Sequence, residues 1–554
     1  MKKIVALMLC SVLCTVAFIG CSKKNQGNTD PVVVDVRLYK AGYGTEWFYS
    51  AKEKFEELYK DKGYTINVVD ESTGVTDKFK GEIAKKKTNT IDLYIIGEPN
   101  FPDVLKRSKA ALNKSEDEVL LENLNDVYSS RAIKFDGTEE SVTIESKLNE
   151  STKRFMKYNG TTSSKYSYLN QFSGNYYAFP WASGVSGLFV NKSVFESFDL
   201  ELPRTTDELI AAYDVMCPKT NGKPSPAREG VYPMTYAGNN GAGFWLFVYD
   251  TLFAQYSGVE AEKNFWLCQP AEGTVKDNGW EVYKDEGILE ALKVVEKLCD
   301  DDYCENGTSG MTEVKAQLQI LQGKAAIMPT GNWAYQQMKL NYPDVVGNGV
   351  MMKMPVISAL GTKLGISDAT LSAIVKGVDE GKTDAAIAAE CSTTETIAAR
   401  VREARNIYFD YSVNHIALIP SYSPSKDVAK LFLRFLASDD NLDLYKSKAY
   451  SSLPFKYVGE SKVSDNEFIR SVDEIMGYGA NVAVYEDICT SPIRQNNFAC
   501  FPLGGYAEVF TSLSKKETVG DKDMIYNAQY VYEKDIELAK GDWETQVTAA
   551  GMNN

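Results

Sequence analysis

The sequence predicts an α/β fold with room for more than one domain, on three observations. Strand-like and helix-like segments alternate from residue 32 to residue 96. The composition is ordinary for a globular chain, with 44% hydrophobic, 12% aromatic and 24% charged residues. The 554 residues leave room for two large cores. Collagen-like, coiled-coil and wholly disordered chains are excluded by the same composition.

Val32 to Leu38 is mostly β-branched and reads as a strand, with Asp35 and Arg37 interrupting it. Tyr43-Gly44 makes a turn. Thr45 then stands at the N-cap position of a helix whose Phe48, Ala51, Phe55 and Leu58 recur at three-to-four spacing. Tyr64 to Val69 is a second strand, Val75 to Lys87 a polar helix with a basic end suited to its dipole, and Ile91 to Ile96 a third strand. This β-α-β-α-β run begins a parallel sheet with helices on its faces, and ligands of such sheets collect at the carboxyl ends of the strands. Those ends are Lys40 to Trp47, Asp70 to Thr73, and Gly97 to Phe101.

Residues 104–170 are polar and weakly patterned, an insertion of helices and loops. Val185 to Asn191 is a strand. Thr205 and Glu208 have capping-box spacing at the start of a helix that runs to about Met216. Residues 240–257 form an aromatic helix and Gly287 to Cys299 another; Val314, Leu318 and Leu321 mark one more, closed by Gln322-Gly323-Lys324. Ala325 to Met328 is a short strand, and Pro329 to Trp333 a loop at its carboxyl end.

The net charge is −15, which argues against non-specific binding to nucleic acid. His415 is the only histidine, so a site needing two histidines from one chain is impossible. Lys2 and Lys3 precede the uncharged, mostly apolar run Ile4 to Ile19, which is short for a membrane span and suits a signal-peptide core. The run ends Phe18-Ile19-Gly20-Cys21, which resembles a bacterial lipoprotein lipobox with Phe18 where the pattern usually has leucine. The resemblance implies removal of residues 1–20 and lipid on Cys21, with residues 21–31 as lipidated cysteine and flexible tether. Of the ten cysteines, seven follow Cys21; they are irregularly spaced and include no Cys-x-x-Cys pair. Cys299–Cys304 and Cys489–Cys500 are close enough in sequence to pair, and buried free thiols fit equally well.

Five ordered stretches together resemble the extracellular solute-binding proteins of ATP-driven (ABC) importers, specifically the carbohydrate-binding family 1 in its lipoprotein form. They are the opening strand into Gly42-Tyr43-Gly44-Thr45-Glu46-Trp47, the segment Tyr177 to Asn191 with its Phe179-Pro180-Trp181, the helix start Pro203 to Leu209, the segment Leu321 to Trp333 with Gly323-Lys324-Ala325-Ala326 and Gly331-Asn332-Trp333, and His415 to Leu436. The resemblance implies a two-lobe, type II periplasmic-binding-protein-like clamp. Each lobe is then a mostly parallel sheet flanked by helices, joined by hinge strands near Ser183 to Gly187, His415 to Pro420 and Ser451 to Phe455. The implied lobes are residues 32–185 with 418–452, and residues 186–417 with 453–554. Residues 361–410 form an Ala-, Thr- and Glu-rich helical insertion beyond a minimal family member.

A sugar site needs flat aromatic platforms and short polar groups that donate and accept. Trp333 is the foremost candidate, because the family places a stacking tryptophan there; the rival role is core packing. Trp181 after the hinge proline, and Trp47 and Tyr43 at the first strand-to-helix turn, should edge the cleft. Glu98 can accept hydroxyl protons. Asn239 and Asn240 follow a strand, and the family uses that loop for ligand, although Asn-Gly is also a plain turn signal. Trp245 and Asn332 complete the expected set; Arg494 and Tyr506 are weaker candidates, and His415 reads as structural.

No metal or cofactor is implied. The implied partners are a sugar or oligosaccharide, the transmembrane subunits of a permease, and the membrane through the lipid on Cys21, with the chain a monomer outside the cytoplasm. A surface glycoside hydrolase is the rival class, since paired carboxylates arise by chance among 75 acidic residues. However, no Gly-x-Ser-x-Gly elbow stands in a strand–turn–helix context. A clamp for peptides or other solutes is the nearer alternative.

Overall fold

The computed structural model describes residues 31–97, 101–113, 115–161, 164–239, 242–343, 349–411, 415–463, 466–477, 482–484, 491, 493–494, 500–519 and 524–552. Two separate sheets organise the chain. In the first, the order is Tyr64–Ser72, Val32–Tyr39, Leu93–Ile96, Ile416–Leu418, Phe179–Pro180. The first three strands pair in parallel, and Ile416–Leu418 runs antiparallel to both of its neighbours.

The helix Glu46–Leu58 lies on this sheet because Trp47, Phe48, Ala51 and Phe55 share one buried stripe. Thr45 precedes it but does not cap it; the Thr45 hydroxyl donates to Glu71 Oε1 (3.1 Å) instead. The second helix stops at Glu82, short of the expected Lys87. Consecutive lysines 85–87 carry no apolar side chain to hold further turns against the sheet.

The weakly patterned region is part of this lobe. Within it, the strands Arg131–Ile133 and Glu139–Thr143 form a hairpin. Lys147 Nζ, almost wholly buried, donates to Glu140 Oε2 (2.7 Å), Ala437 O (2.7 Å) and Asp439 Oδ1 (3.0 Å). It thereby pins the hairpin to the junction between the helices Lys426–Leu436 and Asp439–Ala449.

The second sheet has the order Tyr232–Met234, Ala325–Gly331, Val185–Asn191, Ile407–Asp410, Val482–Val484, with Gly349–Met352 also paired to Val185–Asn191. The outer pairs are parallel; Val185–Asn191 is antiparallel to its three neighbours. The strand at Ala325 runs on to Gly331 through Pro329 and Thr330, which stay in register with Leu188 and Gly187. The expected loop therefore shrinks to Asn332, and Trp333 opens the helix Trp333–Asn341.

Thr205 caps Thr206–Met216 through Glu208 N, as its spacing predicts, while Glu208 Oε2 accepts Arg204 N rather than the cap residue's own amide. In Glu313–Leu321 the buried side is Ala316, Gln317, Gln319 and Ile320, and Val314 faces solvent, so the expected apolar stripe is turned. The Ala-rich stretch folds as helices Asp368–Asp379, Asp384–Glu390 and Glu395–Arg405, capped by Ser367, Thr383 and Thr394. It ends earlier than expected, because Ile407–Asp410 is an inner strand of the second sheet.

The chain passes from the first sheet to the second between Pro180 and Val185, and it is back in the first sheet with the strand after Asp410, Ile416–Leu418. After Ala449 it stays on the first lobe: Lys456 N donates to Lys147 O (2.7 Å) and Tyr457 Oη to Asp443 Oδ1 (3.0 Å). The helix Glu467–Met476 then lies against Gly349–Met352, with Met351 N donating to Ser471 Oγ (3.1 Å). Cys299 and Cys304 are separate buried thiols, and burial pushes both well above the usual thiol pKa; Cys489 lies outside the described residues. No helix among the described residues is long and apolar enough to cross a membrane.

Candidate functional site at the lobe seam

The seam between the sheets is built at strand ends. On the second lobe, Gly331 ends its strand and Trp333 starts its helix, so the indole folds back over the strand. A Cβ at Gly331 would lie 2.0 Å from Trp333 Cζ3. Glycine is needed here for room, since its φ lies outside the left-handed region.

Trp333 is partly buried. Its ring meets Phe244 at 5.9 Å and 71°, Phe247 at 6.1 Å and 85°, and Tyr411 at 6.3 Å and 44°. Phe247 and Phe409 form the buried base, while Phe244, Trp333 and Tyr411 remain partly exposed above it. This is an aromatic corner with a polar wall. Trp333 Nε1 donates to Glu313 Oε1 (3.4 Å), and Gln317 Nε2 donates to Glu313 Oε1 (3.4 Å) and Gln337 Oε1 (2.7 Å). Burial raises the Glu313 pKa, against the lowering effect of the Trp333 and Gln317 donors.

The other expected residues divide into distinct groups. Tyr43, Trp47, Trp181 and Asn332 come together, but buried, each at most 1% exposed. Tyr43 Oη lies 2.6 Å from Ser183 O and 2.9 Å from Asn332 Oδ1, and can donate its one proton to either. Asn332 Nδ2 donates to Ser183 Oγ (3.0 Å) and Ser451 Oγ (2.8 Å). Trp181 Nε1 donates to Ile96 O (2.9 Å), and its ring stacks on Trp47 at 5.7 Å and 10°. His415 fills the corner between Tyr43 (5.2 Å) and Trp181 (5.1 Å), both edge-on, and burial lowers its pKa to about 4.

Backbone bonds also tie the passages to one another. Ser183 N donates to Ser452 O (2.8 Å), Tyr411 N to Gly184 O (2.7 Å) and Trp181 N to His415 O (3.0 Å). Trp245 is elsewhere, in the second-lobe core against Tyr236 (6.3 Å). Asn239 is an exposed turn residue whose N–H donates to Met311 O (3.0 Å). Arg494 is buried in that same core, donating to Tyr283 Oη (2.6 Å) and Phe265 O (2.9 Å), and Tyr506 packs on Phe501 (6.2 Å). Cys21, Glu98 and Asn240 lie outside the described residues.

Sequence reasoning did not single out Phe244, Tyr411, Glu313, Gln317 or Gln337. Phe244 stood in an aromatic run, residues 240–257, that read simply as helix. The others carry no local motif, since only the tertiary fold brings them beside Trp333.

Two sheet-based lobes, joined by cross-bonded passages and meeting at an aromatic seam, define a two-lobe ligand-binding clamp. The family model for bacterial extracellular solute-binding proteins matches residues 50–458, and the chain belongs to that family. It is therefore a protein of the extracytoplasmic side. No curated protein matches it in sequence. Solved structures share the fold at low identity. One comes from work on xylan utilization by the thermophilic bacterium Caldanaerobius polysaccharolyticus, at 15% identity and TM-score 0.56, covering 93% of this chain and 100% of that one. The GacH receptor of Streptomyces glaucescens, solved unliganded and with acarbose, gives 16% and 0.53, covering 92% and 98%. The raffinose complex of RafE gives 13% and 0.54, covering 93% and 99%.

Proposed function

We propose that this protein captures a sugar or oligosaccharide between its lobes and delivers it to the membrane subunits of an ATP-driven importer, held at the membrane by lipid on Cys21. The observation that carries the reading is the partly exposed corner of Trp333, Phe244 and Tyr411 beside Glu313 at the seam. Aromatic faces suit the C–H faces of a sugar ring, and a carboxylate and amides suit its hydroxyls. Raffinose and acarbose in the complexes of the structural neighbours agree with that chemistry. The role is binding without chemistry and requires no cofactor. Tyr43, Trp47, Trp181 and Asn332 act as the hinge block, and the sugar shifts the lobes toward closure by its extra affinity for the closed form.

The test is a melting screen of the purified protein against mono- and oligosaccharides, with peptides and calcium as controls. Native-state binding raises the melting temperature by mass action. A shift with one glycan class, together with a loss of affinity of about tenfold or more in Trp333→Ala, is the expected result. Shifts confined to peptides or calcium would overturn the sugar assignment, and conversion of a labelled oligosaccharide to products would overturn the binding-only role.

A further inference from the structure

The first lobe touches the Trp333 platform at one point without a side chain. A Cβ on Gly42 would lie 3.0 Å from Trp333 Cβ, 3.0 Å from Trp333 Cδ1 and 2.9 Å from Gln337 Nε2. Carbon atoms normally rest about 3.5–4.0 Å apart. The Gly42 backbone does not itself demand glycine, because its φ lies outside the left-handed region occupied by Gly44 at +69°. What crowds a side chain there is the opposite lobe. Contacts on both sides show how close the approach is: Tyr43 Oη reaches Asn332 Oδ1 at 2.9 Å, and Lys339 Nζ donates to Tyr450 Oη at 2.5 Å. The first turn of Trp333–Asn341 thus seats directly on bare first-lobe backbone.

We propose that Gly42 sets how far the cleft closes, and that any side chain there acts as a wedge between the lobes. The same contact restricts the ligand. First-lobe backbone covers the Cβ–Cδ1 edge of Trp333, so the sugar lies on the side of the indole that faces Phe244 and Tyr411. This inference rests on the clamp reading above, and it adds the residue that determines closure.

The test is the series Gly42→Ala, Gly42→Val and Gly42→Leu in the purified protein, each checked for a cooperative melt. The radius of gyration is measured by small-angle X-ray scattering without ligand. It is measured again with raffinose and xylo-oligosaccharides as probes, with affinities by calorimetry. The expected result is a radius that grows from Ala to Leu, with sugar affinity down about threefold for Ala and more than about tenfold for Leu. Gly42→Ala adds one methyl and keeps the series readable if the leucine variant does not fold. Equal radii across the wild type, Ala and Val variants would overturn the wedge. If the wild type binds neither probe while the ligand-free radii still grow, the wedge stands and the sugar assignment loses its support.

Discussion

His415 shows how one residue's surroundings fix its protonation. It is buried among Tyr43, Trp181 and Tyr411, and its pKa is lowered to about 4 from the ordinary 6.5. The folded state therefore prefers the neutral ring. Its contribution to stability is fully present above about pH 6.5 and declines as pH falls toward 4, because the unfolded chain takes up a proton that the fold refuses. The whole effect is about 3 kcal/mol. Melting curves of wild type and His415→Phe should diverge in pH dependence, with the wild type losing more stability between pH 6.5 and 4; parallel curves would contradict it. The sequence identified His415 as the only histidine and as structural. It could not show the ring's neighbours, which come from three separate stretches of chain. Trp333 was singled out because the family resemblance places a stacking tryptophan there, and the structure adds that Gly331 makes room for its indole. Tyr43 and Asn332 were legible as strand-end residues, but not as partners 289 positions apart.

At the scale of elements, two buried charges behave in opposite ways. Lys147 meets Glu140 and Asp439 inside the first lobe, where removing one partner leaves a carboxylate uncompensated. Lys147→Met should cost about 3 kcal/mol, and Lys147→Met with Glu140→Leu should regain part of it; urea unfolding of both variants measures this. Neither the staple nor its hairpin was read from the sequence, where the region reads as helices and loops; Asp136-Gly137, where Gly137 takes φ +83°, is the turn signal that was passed over. In the C-terminal helix Ala528–Ala549, Asp535 is buried and, among the described residues, accepts only Leu503 N (2.8 Å, on Oδ1); burial raises its pKa to about 7. Its sign is the reverse of the histidine's: the fold prefers the neutral acid, so stability is greatest below about pH 4 and is lost as pH rises toward 7. Asp535→Asn should therefore melt higher than wild type at pH 8 and not at pH 4. An unchanged difference across that range would show that the carboxyl ionises freely.

For the whole molecule, the alternation of strand and helix announced sheets but not which strands share one. Phe179–Pro180 and Ile416–Leu418 are too short to carry a period of their own, and they join the first sheet because the passages beside them are held together. That assembly depends on Asn332, which bonds Ser183 from the first passage and Ser451 after the helix Asp439–Ala449 while facing Tyr43. Asn332→Leu keeps the volume but takes the amide donor away from the Ser183 and Ser451 hydroxyls, while Tyr43 Oη keeps Ser183 O at 2.6 Å. The cost, about 2 kcal/mol, falls chiefly on the closed arrangement, where these groups are sealed from water. Opening lets water satisfy them, so the variant should have a larger ligand-free radius of gyration and release ligand faster. The hydrophobic cores on either side are untouched. A variant that melts lower with unchanged radius and release rate would place Asn332 in the stability of a single lobe. A variant that opens at nearly constant melting temperature would place it in the balance between open and closed, where a clamp's affinity is set.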